Sequence, residues 1–202
     1  MFNEVIFDLE TKKLFNEIAS DDPKDLGVSI VSLYSRKIDE NYLEIEGKLQ
    51  SFWEKDFKKM WQIFQIADRI IGYNSLHFDV PALKDYTPFP FNKLPHFDIM
   101  AKIKQNLGHR LALDAIAKET LDREKKETGL QAVYYWQKGD RKSLMKLKKY
   151  CEDDVIITRN LYDFVLKNGY LQFKDKWNTL RKIELDFSYP KETSSEKQIG
   201  LF

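Results

Sequence analysis

The chain has 202 residues, 43% hydrophobic and 32% charged, which excludes a disordered protein and bounds the fold to one domain with a short appendage. Its 33 basic and 32 acidic residues leave a formal charge of +1, so no polybasic coat or acidic tail dominates, although a local patch fits inside a neutral total. The single cysteine, Cys151, excludes an internal disulfide, and no apolar run approaches the ~18 residues of a membrane span. With Glu4 where a signal peptide would be basic or apolar, a cytoplasmic protein without membrane contact is expected.

Asn3 to Leu9 predicts the first strand. Lys12 to Asp25 is polar and turns at Asp21-Asp22-Pro23. Gly27 to Tyr34 is rich in β-branched residues and predicts a second strand, and Asn41 to Ile45 a third at an edge. Consecutive strands of this kind form an antiparallel meander. From Gln50 to Ala67 the period changes: Phe52, Trp53, Phe57, Met60, Trp61 and Phe64 recur at helical spacing, predicting an amphipathic helix packed on the sheet. Arg69 to Tyr73 predicts a fourth strand, and Pro81 fits the first turn of a helix running to about Tyr86. His96 to Met100 predicts a fifth strand, followed by helices at Leu111 to Leu121 and Gly129 to Trp136. A long helix after Asp140 carries Leu144, Leu147, Cys151, Val155, Leu161 and Val165, and Gly169 ends it. Beyond Trp177 the pattern weakens.

Three acidic groups stand out along this order. Asp8 and Glu10 close the first strand at i and i+2, which puts both carboxylates on one face. Like charges held so close suit a hard divalent cation. Asp79 stands at a helix N-terminus just past the fourth strand, where an Asp commonly serves as an N-cap. Tyr150 and Asp154 share a face of the long helix, and Asp153, at i+3 from Tyr150, competes with Asp154. His96 and Asp98 form a His-x-Asp pair that reads as structural.

Together, Asp8-x-Glu10, Asn74-x-x-x-Phe78-Asp79 and Tyr150-x-x-x-Asp154 resemble the three motifs of DEDD-type 3′–5′ exonucleases, tyrosine branch, among the DnaQ-like members of the ribonuclease H-like superfamily. The likeness spans about residues 1 to 168 and looks closest to exonucleases related to the proofreading domain of family B polymerases. The histidine branch places a His five residues before its last acid, and Lys149 stands there instead. The resemblance implies an α/β ribonuclease H-like fold: a mixed five-stranded sheet with an antiparallel three-strand meander and flanking helices. It also implies two Mg2+ or Mn2+ ions held by Asp8, Glu10, Asp79 and Asp154, with Asp8 bridging them and Tyr150 orienting the attacking water. The substrate implied is the 3′ end of single-stranded DNA, with RNA next, gripped through Leu9, Thr11, Asn74 and Phe78. An inactive nucleic-acid-binding module and a structure-specific endonuclease are the alternatives.

Residues 1–185 are expected to form the domain and 186–202 a flexible tail. The last five residues, Gln198-Ile199-Gly200-Leu201-Phe202, resemble the peptides by which bacterial replication proteins bind the sliding clamp. Gln198, Leu201 and Phe202 would be the anchors in that partner's apolar groove.

Overall fold

The computed structural model describes residues 1–123 and 129–190. Strand β1 (Phe2–Thr11) is largely buried on both faces and occupies the middle of the sheet. Its Val5, Phe7 and Leu9 pack on one side with Trp61, Phe64 and Phe91, while Ile6 packs on the other with Val155, Leu161 and Tyr162. Strand β2 (Val28–Ile38) pairs antiparallel with β1, and β3 (Glu44–Trp53) antiparallel with β2, completing the expected meander. Strands β4 (Arg69–Gly72) and β5 (His96–Asp98) add in parallel on the opposite edge, giving the order β3-β2-β1-β4-β5. This is the mixed five-stranded α/β sheet of the ribonuclease H-like fold.

The aromatic stretch from Gln50 to Ala67 departs from the predicted single helix. Ladder pairing with β2 holds the chain extended through Trp53, a 3-10 turn spans Glu54–Lys59, and helix α1 covers only Trp61–Gln65. Tertiary pairing overrides a helical spacing here, because Phe52 finds its buried environment in the strand. Helix α2 is short (Asp79–Ala82), and α3 (Ile99–Leu107), which the sequence pattern did not announce, follows β5 directly. Helices α4 (Leu113–Leu121) and α5 (Gly129–Lys138) match their periodic segments.

Helix α6 (Arg141–Asn168) begins where Asp140 accepts the Ser143 N–H at 3.0 Å and ends where Gly169 takes a left-handed conformation, φ 77°. It lies across β1 and β2. A hairpin of β6 (Tyr170–Lys174) and β7 (Leu180–Glu184) follows, in a region where the sequence patterning had faded.

At one end of the β1–α6 interface the buried charges are matched. Arg36 pairs with Glu4 at 2.8 Å and with Asp163 at 2.6 Å, and the hydroxyls of Tyr162 and Tyr189 donate to Glu4 at 2.9 and 3.1 Å. Arg69 donates to the Tyr162 hydroxyl and to the carbonyls of Phe187 and Ser188. Packing therefore continues past residue 185, the boundary drawn from the sequence. Phe187 is buried and Tyr189 stacks on Phe2 at 3.9 Å, since both rings find apolar partners there. The segment carrying Gln198, Leu201 and Phe202 lies outside the described residues. Among the described residues no helix is long and apolar enough to cross a membrane.

Candidate metal centre and active site

Strand alternation turns Glu4, Ile6, Asp8 and Glu10 toward α6. The helix runs antiparallel to the strand, so Tyr162 meets Glu4 and Asp154 meets Asp8 and Glu10. The match is geometric: Glu4 to Asp8 is ~13 Å of strand at ~3.3 Å per residue. Tyr162 back to Asp154 is ~12 Å of helix at ~1.5 Å per residue. One carboxylate oxygen from each of Asp8, Glu10 and Asp154 lies within 4.8 Å of the others, with Glu10 and Asp154 buried and Asp8 half-buried. Three hard oxygen donors at such spacing fit Mg2+ or Mn2+, and no soft ligand competes within the trio. The register of β1 against β2 shifts between Glu10 and Thr11, a bulge at the point where the strand leaves the site.

The adjoining acid, Asp153, turns away. It pairs with Lys149 and Arg123, each at 3.4 Å, on the solvent side of α6. Glu152 points to the sheet instead and accepts from Ser51 Oγ at 2.7 Å, anchoring the helix at the level of the site. Tyr150 stands one turn before Asp154 and is buried beside Ile30, Ala132 and Leu147. Cys151 lies under Asp8, its sulfur 3.8 Å from a carboxylate oxygen, and burial pushes the thiol pKa up. It is a packing residue here, not a nucleophile.

Asp79 stands outside the trio and arrives from the loop after β4. A Cβ at Gly72 would collide with Ser75, so glycine is what lets this loop fold back so sharply. The loop is then pinned by Asp98, whose carboxylate accepts the backbone N–H groups of Asn74, Leu76 and Ala101 at 2.9, 3.0 and 3.2 Å. The structural reading of Asp98 holds, and its positional role went unnoticed in the sequence. The signal available was its place as N-cap of α3. Asp79 itself is the first residue of α2, with Phe78 at the cap position. Its carboxyl pKa is pushed up to about 7, first by burial and then by the charges of Asp98 and Asp154. Backbone N–H groups of Asp79 and Leu9 oppose the rise, and the latter ties the group to β1 between Asp8 and Glu10.

The residues expected to grip substrate divide. The Leu9 side chain, 4% exposed, sits in the core on the face opposite Asp8 and Glu10, so it offers the site its backbone and not a wedge. Thr11 and Phe78 line an open cleft of about 400 Å³ beside Glu10, together with Leu14, Phe15, Leu130 and Val133. Phe15 packs edge-on against Phe78 at 6.2 Å, a neighbour that no sequence pattern signalled. Asn74 takes a left-handed backbone, φ 63°, and lies on the other side of the loop.

A central strand presenting two acids to a third on a crossing helix, in a sheet of this order, defines a domain that fits a metal-dependent nuclease. The chain belongs to the RNase H superfamily, whose family model matches residues 5–166, from β1 into the last turns of α6. A search of curated proteins returned no match.

Proposed function

We propose that the protein is a metal-dependent 3′–5′ exonuclease that hydrolyses phosphodiester bonds from the 3′ end of single-stranded DNA, with RNA as a second substrate. The observation that carries this reading is the convergence of Asp8, Glu10 and Asp154, with Tyr150 one helical turn from Asp154. Asp8, Glu10 and Asp154 would hold the ions, with Asp79 as a fourth carboxylate beside them. Bound there, two divalent ions supply an acidified water and neutralise charge at the leaving oxygen.

The remaining chemistry falls to the chain. Tyr150 orients the attacking water through its hydroxyl, since a phenol of ordinary pKa near 10 is a poor base at neutral pH. Asp98 keeps the Asn74–Asp79 loop in register, and so sets where Asp79 stands. The cleft lined by Phe15, Phe78 and Leu130 suits the flat face of a terminal base. The C-terminal peptide with Gln198, Leu201 and Phe202 would tether the enzyme to the replication sliding clamp. A pull-down comparing the full chain with one ending at Glu196 tests that tether, and equal retention removes it.

The catalytic reading is tested with end-labelled oligonucleotides and Mg2+. Stepwise shortening from the 3′ end, abolished by EDTA and in Asp8→Ala, is expected. Internal cuts would instead indicate a structure-specific endonuclease, and binding without cleavage an inactive module.

A further inference from the structure

Strand β3 closes one edge of the sheet. It pairs with β2 on its inner side, and among the described residues no strand pairs with its outer side. Glu44 to Lys48 are all exposed, Ile45 at 57%, and Leu43 just before them is 65% exposed. A ten-residue edge offers a long row of backbone N–H and C=O groups to a further strand. Charged side chains normally blunt such an edge, so their order along β3 decides what can pair there.

Glu46 and Lys48 share one face of β3, at i and i+2. Among the described residues neither takes part in an ion pair. Both line an open groove of about 500 Å³ beside Lys37 and Ile63, so neither is covered. Two copies of one strand related by a two-fold axis pair antiparallel, and residues opposite each other share a face, so the axis passes through a residue. With the axis at Gly47, Glu46 stands opposite the partner's Lys48 and Lys48 opposite the partner's Glu46. One sequence pattern thus yields two pairs of opposite charge. Glu44 then meets the partner's Gln50, and exposed Ile45 comes beside the partner's half-buried Leu49. An axis at Glu46 or at Lys48 would instead set that charge against itself. An axis at Leu49 would put Glu46 opposite the partner's Phe52, which is buried. Gly47 is needed within the chain, because a Cβ there would strike the Tyr34 hydroxyl. At the axis it also leaves no side chain between the two backbones.

We propose that the outer edge of β3 is a homodimer interface, in which two copies pair antiparallel about Gly47 and two five-stranded sheets join into one. The axis is perpendicular to the joint sheet, so α6 of each copy lies on the same side. Ser51 stands level with Asp8 across the ladder, four residues from Gly47. Those four residues are ~13 Å of strand, which sets the two carboxylate clusters ~26 Å apart along the strand direction, opening on one face. The pairing leaves each cluster whole, and it stands whether or not the nuclease reading does.

Sedimentation equilibrium of the full chain from about 1 μM to about 1 mM follows the association. The wild type should form a dimer and no larger species, because a closed two-fold contact uses up the edge. Glu46→Lys and Lys48→Glu each place like charges in both pairs and should weaken dimerisation about tenfold or more. Glu46→Gln, which removes the charge and keeps the shape, should weaken it less. Mixed in equal amounts, Glu46→Lys and Lys48→Glu restore opposite charges at both pairs, so the mixture should recover a heterodimer. Native mass spectrometry with one variant isotopically labelled identifies that species. Both positions are exposed, and circular dichroism of each variant should match the wild type.

A wild type that stays monomeric over the whole range overturns the proposal. A dimer that neither charge reversal weakens overturns it as well, since the contact then lies elsewhere. A mixture that associates no better than its two components overturns the pairing about Gly47.

Discussion

Glu4 and the pair Asp8 and Glu10 lie on one face of one strand and meet one helix, yet their charges are met differently. Around Glu4 the chain supplies its own counter-charge: Arg36 at 2.8 Å, with two tyrosine hydroxyls completing the shell. Around Asp8 and Glu10 the fold brings a third carboxylate, that of Asp154, within 4.8 Å. The matched end locks strand, helix and the 185–189 segment together. The acidic end gathers three oxygen donors that fit a divalent cation, and the rigidity established at the first end keeps the second in position.

Substitutions at the two ends should therefore fail in different ways. The largest effect is expected on catalysis: Asp8→Ala or Asp154→Ala should lower oligonucleotide hydrolysis by more than ~100-fold, because even outer-shell partners of metal ligands are worth 10–100-fold. Circular dichroism should show both variants folded. At the other end, Arg36→Met strands the Glu4 charge in the interior and should lose roughly 3–5 kcal/mol in urea denaturation. The molecules that remain folded should keep their activity. If Arg36→Met abolished turnover without loss of stability, the division between a structural and a catalytic end would collapse.

Smaller effects sharpen the same contrast. Added Mg2+ at about 100 times its dissociation constant should stabilise the wild type by about 2.7 kcal/mol, raising Tm by roughly 5–10 °C. Asp8→Ala should lose that shift in calorimetry, and Arg36→Met should keep it. Tyr150→Phe should slow hydrolysis roughly tenfold to a hundredfold by misplacing the water, with the Mg2+-dependent Tm shift intact.

The last prediction concerns protons. Because the Asp79 pKa is raised in the folded state, the metal-free native protein binds that proton more tightly than the unfolded chain does. Asp79's contribution to stability is thus full below its unfolded value of 3.8 and is lost as pH rises toward about 7. In Asp79→Asn the urea midpoint should fall less over that window than in the wild type. An identical slope in the two proteins would show that Asp79 is not held in the environment described.

Much of this was legible along the chain because it depends on neighbours in sequence. The i, i+2 spacing of Asp8 and Glu10 and the i, i+4 spacing of Tyr150 and Asp154 follow from strand and helix periods. Gly169 marked the end of α6 for the same local reason. The stretch from Phe52 to Phe64 was misleading because its aromatic spacing satisfies a helix, while the ladder with β2 that holds its first part extended is invisible locally. The β6–β7 hairpin escaped notice because its short strands carry too few residues for a period to show, and α3 because the strand expected over His96 to Met100 took in its first turn.

The sequence by itself determined which residues could share a face, since backbone geometry sets that within a few residues. It determined the pairs Asp8 with Glu10 and Tyr150 with Asp154, and the meander on which the first pair stands. Only the tertiary structure decided between Asp153 and Asp154, because one step of about 100° around α6 separates a partner for Lys149 and Arg123 from one for Asp8 and Glu10. It alone buried the side chain of Leu9, set Asp98 under the loop that carries Asp79, and gave Glu4 an arginine but Asp8 an acid. Those outcomes depend on packing between elements distant in the chain, where a charge's surroundings are chosen by the fold and not by its neighbours in sequence.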